Sequence, residues 1–313
     1  MVLHYLLLLS LLFLNAGCVA QAPGAGGGDQ SSRSVLEVGD VPPTERVLDE
    51  ARSALNTGDL IAALRLVDQA IRHGNGDPVL VKKRGMLYVL LDAYEPALLD
   101  FQAYLRVAPL DGEVYYYKGR VLLATGLVAR AKACLERAKE LDEESAGLSS
   151  ALDEAEREVR KRIGYLGMAR AIPIEARDGT YWWRRIVLEV ELGRLEDASD
   201  SAGMWEHLAE DAVLGNWGQG PVLVARGDFD GARELFAEAR ARGMEVQADK
   251  ALAELAAEVG DWSEAARRAA SVLKDQKDDN VANRLHRLCL LATGKYEEYC
   301  SAINAARSAE EHK

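Results

Sequence analysis

NTGDLIAAL, residues 56–64, sets a glycine at 58, an apolar residue two places on and a small residue five places on. The frame recurs in LLDAYEPAL (90–98), ATGLVARAK (124–132), ELGRLEDAS (191–199), ARGDFDGAR (225–233), EVGDWSEAA (258–266) and ATGKYEEYC (292–300). Its Gly or Asp marker falls at 58, 92, 126, 193, 227, 260 and 294. The steps are 34, 34, 67, 34, 33 and 34, so one marker is missing. The small residue is Ala63, Ala97, Ala131, Ala198, Ala232 or Ala265, and only the last stretch departs, with Tyr299. Such a frame is packing chemistry. A turn glycine accepts positive φ and closes one helix. The alanine lets the next helix approach it, and larger residues such as Phe101, Leu135 and Phe236 fill the following layer. One hairpin cannot bury its own apolar face, whereas a stack can. The frame predicts an all-α stack of about seven to eight helical hairpins.

Composition agrees. The chain has 313 residues, 49% of them apolar and only 6% aromatic, with net charge −12 and a pI near 5.1. An acidic chain repels phosphate backbones, so no nucleic-acid partner is expected. REVRKRI, residues 157–163, is basic but follows Asp153, Glu154 and Glu156, and reads as a solvated helix face with i,i+4 ion pairs.

Within the 34-residue units, Trp182 stands at position 4, Gly85 and Gly119 at 8, Tyr88 at 11, Ala70, Ala138 and Ala239 at 27, and Pro109 at 32. On these residues the region 44–313 resembles the tetratricopeptide repeat (TPR) family. The resemblance implies a right-handed α-solenoid, with units 1–3 over 44–145 and units 5–8 over 179–313. Between them lies a degenerate unit or linking helix, 146–178. That unit carries Arg160 at its turn, Tyr165 where alanine is wanted and Pro173 late. The sixth holds GNWGQGP, with Pro221 inside the expected first helix, which is expected to be short or to start there. One continuous solenoid and two sub-arrays joined by the charged helix both remain open.

In TPR proteins the first helix of each unit lines a concave groove, position 5 included. Here position 5 reads Leu48, Lys82, Tyr116, Ser150, Trp183, Trp217, Lys250 and Arg284. The resemblance therefore implies a partner-binding groove at Lys82, Tyr116, Trp183, Trp217, Lys250 and Arg284, suited to a peptide bound by ring burial and end charges. The plainer reading of TYWWRR is that it seals the junction with the degenerate unit, Trp182 being core. The carboxylate clamp of chaperone-binding TPR domains is missing: Leu48, Arg52, Lys83, Glu113 and Tyr117 stand in its places.

Ahead of the array, Tyr5–Leu14 is an apolar run broken only by Ser10, too short to span a bilayer and suited to an export signal over 1–17. LNAGC, residues 14–18, resembles the lipobox of bacterial lipoproteins, in which the cysteine is lipidated, although Asn15 occupies the place where Leu is usual. Residues 18–43 then read as lipid-attachment Cys18 plus a Gly/Ser/Ala/Pro-rich tether, reaching roughly 25–30 Å r.m.s.. The expected location is the periplasmic face of the outer membrane, lipid-anchored; a secreted or soluble periplasmic protein is the alternative.

Enzyme motifs are missing. His73, His207 and His286 lie in separate units, GDFDG (227–231) lacks the later ligands of a calcium loop, and no G-x-S-x-G, P-loop or CxxC occurs. No catalytic residue, metal or cofactor is expected. Of four cysteines, only Cys289 and Cys300 could pair, across a hairpin. The expected role is a non-enzymatic scaffold or assembly factor of the bacterial cell envelope, pilotin-like or pilus-assembly-like in architecture, that binds protein segments. A periplasmic small-ligand or glycan-strand binding module is the alternative.

Overall fold

A computed structural model describes residues 43–141, 147–209 and 216–311. The expected leader, Cys18 and the tether up to residue 42 lie outside the described residues. Among the described residues, seven hairpins and one long helix follow one another, and there is no strand. Three hairpins come first: α1 (Thr44–Asn56) with α2 (Leu60–Arg72), α3 (Pro78–Leu90) with α4 (Tyr94–Leu105), and α5 (Gly112–Ala124) with α6 (Val128–Glu140). The unpaired α7 (Leu148–Arg170) follows, then a 3-10 turn at Ile174–Ala176. Four more hairpins complete the array. They are α8 (Gly179–Glu191) with α9 (Leu195–Leu208), α10 (Gln219–Arg226) with α11 (Phe229–Ala241), α12 (Glu245–Glu258) with α13 (Trp262–Asp275), and α14 (Asn280–Ala292) with α15 (Tyr296–Glu311).

All seven markers adopt positive φ: Gly58, Gly126, Gly193, Gly227, Gly260 and Gly294 between 69° and 87°, and Asp92 at 53°. The six frame alanines, from Ala63 to Ala265, are fully buried. Their layer is completed by glycine facing a large residue. A Cβ on Gly85 would lie 2.7 Å from the Phe101 ring, one on Gly119 2.7 Å from Leu135, and one on Gly220 2.6 Å from Phe236. Helix starts are fixed by aspartates: Asp59, Asp77, Asp111, Asp178, Asp228, Asp261 and Asp279 each accept a backbone N–H of the first turn.

The degenerate unit has no hairpin. With Arg160 in place of a turn residue, α7 runs straight through for 23 residues. It stops shortly before Pro173, which disfavours helix for the residue preceding it. The helix holding Pro221 is short, with eight residues in α10.

Beyond α7 the array turns back on its own beginning. The turns of the later hairpins rest on the second helices of the first three units. Gly193 approaches Ala129 of α6, Gly260 approaches Leu99 of α4, and Gly294 lies against Arg72 and Asp68 of α2. Side-chain bonds cross this seam: Arg284 donates to Glu95 at 2.8 Å, and the Tyr296 hydroxyl donates to Asp68 at 2.9 Å. One hydrophobic cluster runs through both arms, from Val47 to Tyr296. Cys289 and Cys300 are free thiols, one buried and one exposed.

Candidate functional site, a cleft at the interrupted repeat

Because α7 replaces a hairpin, α8 has no preceding second helix to lie against. A cleft of about 1300 Å3 opens there, between the last turns of α7 and the start of α8. One wall is Tyr165, Met168 and Ile172, which are 44%, 63% and 39% exposed. Tyr165 and Met168 stand one turn apart on α7, and Ile172 follows two residues beyond its last turn. The α8 side of the lining holds Trp183 and Leu188, with Trp205, Trp217 and Met244 contributed by later helices and loops. The Trp183 and Trp205 rings meet edge-on at 6.4 Å, which fixes that wall.

Charge at the cleft is uneven. Arg162 bridges the helices, donating to Glu191 of α8 at 2.5 Å and to Glu158 of its own helix at 2.6 Å. Burial raises the Glu191 carboxyl above its ordinary range, and Arg162 works against that rise. Glu189 is likewise raised by burial, opposed by Ser201 and Arg185. Arg184, in contrast, is exposed on the rim without an ion pair among the described residues. Residues 157–194 hold nine Lys or Arg against five Asp or Glu, in a chain whose net charge is −12. The cleft therefore sits in a locally basic stretch of an acidic protein.

The six residues at position 5 divide between two places. Trp183 and Trp217 come together in the cleft, both largely buried. The other four tie one unit to its neighbours. Lys82 pairs with Asp111 and Glu113, each at 2.7 Å, and Asp111 is the N-cap of the next unit's first helix. Lys250 pairs likewise with Asp279, the cap of α14. Tyr116 reaches Gly147, the cap of α7, where a Cβ would sit 2.4 Å from its hydroxyl. Arg284 is spent across the seam on Glu95. At Lys82, Tyr116 and Lys250, position 5 thus points along the stack at the next helix start.

Sequence reasoning missed Tyr165, Met168 and Ile172. Tyr165 was legible only as a misfit for alanine. Among the described residues, no three His, Cys, Asp or Glu side chains gather as a metal site, and no helix is long and apolar enough to cross a membrane.

The tetratricopeptide repeat family model matches residues 83–146 and 218–281. The first stretch runs from within α3 through α6, and the second from the cap of α10 into the start of α14. No curated protein matches the chain. Among solved structures, a tetratricopeptide repeat protein from Parabacteroides merdae is 14% identical, with 84% of this chain and 92% of that one covered and a TM-score of 0.39. Yeast Tom70 is 10% identical, with 85% and 84% covered and a TM-score of 0.39. MamA from Desulfovibrio magneticus is 20% identical, with 64% and 94% covered and a TM-score of 0.29.

Proposed function

We propose that this protein is a non-enzymatic scaffold of the bacterial cell envelope that holds an apolar, acid-flanked segment of a partner protein in the cleft between α7 and α8. Tetratricopeptide repeats generally mediate protein–protein contact, and two stretches of the chain match that repeat. The carrying observation is the interrupted unit. It leaves a cleft of about 1300 Å3 with an exposed apolar stripe on one wall and indoles on the other. An amphipathic helix laid in such a groove buries its apolar face by the ordinary helix-in-groove mode. The basic balance around the cleft and the unpaired Arg184 favour acidic flanks on that segment. Cys18, diacylated, and the tether behind it would hold the scaffold at the periplasmic face of the outer membrane.

A photoreactive amino acid at Met168 tests the cleft in intact cells. Adducts are expected at 168 and not at exposed Lys274, and peptide mapping should place them in apolar segments with acidic neighbours. Met168→Asp should abolish partner binding, and Arg184→Glu should weaken it roughly tenfold or more, each with unfolding unchanged. Equal adducts at both positions, or binding indifferent to Met168→Asp, defeat the proposal. The anchor is tested separately: Cys18→Ser should move the protein out of the membrane fraction.

A further inference from the structure

The seam between the two arms holds a group of charges that the turn-and-alanine frame does not require. Glu254 of α12 is 2% exposed, and neither of its carboxyl oxygens has a hydrogen-bond partner. Across the seam α4 brings Glu95, whose Oε1 accepts from Arg284 of α14 while its Oε2 has no partner. On Glu254's own helix, Lys250 is paired with Asp279, the cap of α14. Cys289 of α14 also faces Glu95, and burial pushes its thiol up to about 12, so it stays neutral. One turn beyond, Glu258 faces Arg130 of α6. Asp249 is engaged elsewhere, by Arg240 of α11 and Arg268 of α13.

Counted together, Arg284 with Glu95 and Lys250 with Asp279 make two neutral pairs. Among the described residues of the cluster no further cation is left over for Glu254, although the buried Arg284 Nη2 is itself unpartnered, so the cluster balances only while that carboxyl keeps its proton. Its surroundings act in the same direction: burial first, with Glu95 adding and Arg284 opposing, holds it well above the usual carboxylate range.

We propose that Glu254 makes the contact between the two arms a proton-dependent clasp, tightened by acid and loosened as the pH rises. When the arms part, Glu254 meets water and ionises at an ordinary glutamate pKa of about 4.3. The closed form thus binds a proton that the open form releases. Closure is strongest below that pKa and weakens by up to tenfold per pH unit above it, until the closed-state pKa is passed. The device has a route to the cleft, because α12 carries Gln247, and Gln247 and the preceding Met244 both line it.

Hydrogen exchange of the α4 and α12 amides, compared between wild type and variant at each pH from 5 to 9, reads the opening free of intrinsic-rate effects. Glu254→Gln keeps the shape without the proton. The wild-type to variant rate ratio is expected to be about sixfold at pH 5, which lies above the open-state pKa, and then to rise by up to tenfold per unit. Glu95→Gln frees Arg284 for Glu254, so it should also resist opening at high pH despite losing the cross-seam ion pair. A ratio flat in pH overturns the clasp. So does a Glu95→Gln seam weaker than wild type at every pH, a result that decides the matter even if Glu254→Gln does not fold.

Discussion

Away from the turns, a helical glycine in this protein can mean opposite things, and substitution separates them. Gly85 is a packing residue: an added Cβ would lie 2.7 and 2.9 Å from the fully buried Phe101 ring. Gly85→Ala should therefore cost about 1–3 kcal/mol, the ordinary penalty of overpacking. Gly164, in mid-α7, has nothing within 4 Å of such an atom. There alanine should gain roughly 0.5–1 kcal/mol by helix propensity. Urea unfolding of the two variants checks both signs. Asp249 shows how a single acid can tie three helices together, accepting from Arg268 at 2.6 Å, Arg240 at 2.9 Å and Ser271 at 3.0 Å. Burial alone would raise its carboxyl, but those donors outweigh burial and the pKa falls below the ordinary value. A depressed folded pKa gives stability that is present above the unfolded value, about 3.9, and lost as the pH falls through the folded one. Asp249→Asn should destabilise by roughly 1–3 kcal/mol at pH 7 and by much less at pH 3. Glu254 has the opposite slope, because its carboxyl is raised.

Among the elements, α7 is the one whose form carries a functional consequence. Its first half packs as a first helix should, burying Leu148, Ala151 and Ala155. Its second half replaces a turn and a second helix, so it has one buried anchor, Leu166, and an exposed stripe beside it. Restoring a turn should close the cleft or displace its wall. Gly-Asn replacing Arg160 and Lys161 is expected to lower the helix signal in circular dichroism by a few residues and abolish any cleft-dependent binding. The degeneracy was legible in the sequence from Arg160, Tyr165 and Pro173. Its outcome, a continuous helix with a cleft beside it, was not, because no local signal says whether a lost turn gives a loop, a shorter hairpin or an uninterrupted helix.

Taken whole, the molecule is a stack that returns onto its own beginning, and its ends are coupled by side chains far apart in sequence. Asp68 and Tyr296 are 228 residues apart and hydrogen-bonded at 2.9 Å in a buried position. Asp68 also accepts from Arg72 at 2.6 Å and Arg84 at 2.9 Å. A double-mutant cycle of Asp68→Asn with Tyr296→Phe should give a coupling energy of about 0.5–3 kcal/mol, whereas an open array would give none. Closure also explains why Lys250 and Arg284 serve the protein's own architecture. Both lie by the fold-back, where burying an unpaired charge would cost more than pairing it.

By itself the sequence determined the repeating part. A 34-residue period with a left-handed turn residue and an alanine five places on leaves the chain one way to pack locally, since both requirements are steric and act within a single hairpin. The buried layer of Ala63, Ala97 and Ala131 follows from the same frame. Only the tertiary structure decided which position-5 residues face open space and which are used inside, that α7 runs on through its missing turn, and that the arms meet at Glu95, Glu254 and Arg284. Those outcomes depend on how small rotations between successive hairpins add up along the stack. No residue encodes that sum locally, and it becomes visible only where the last units meet the first.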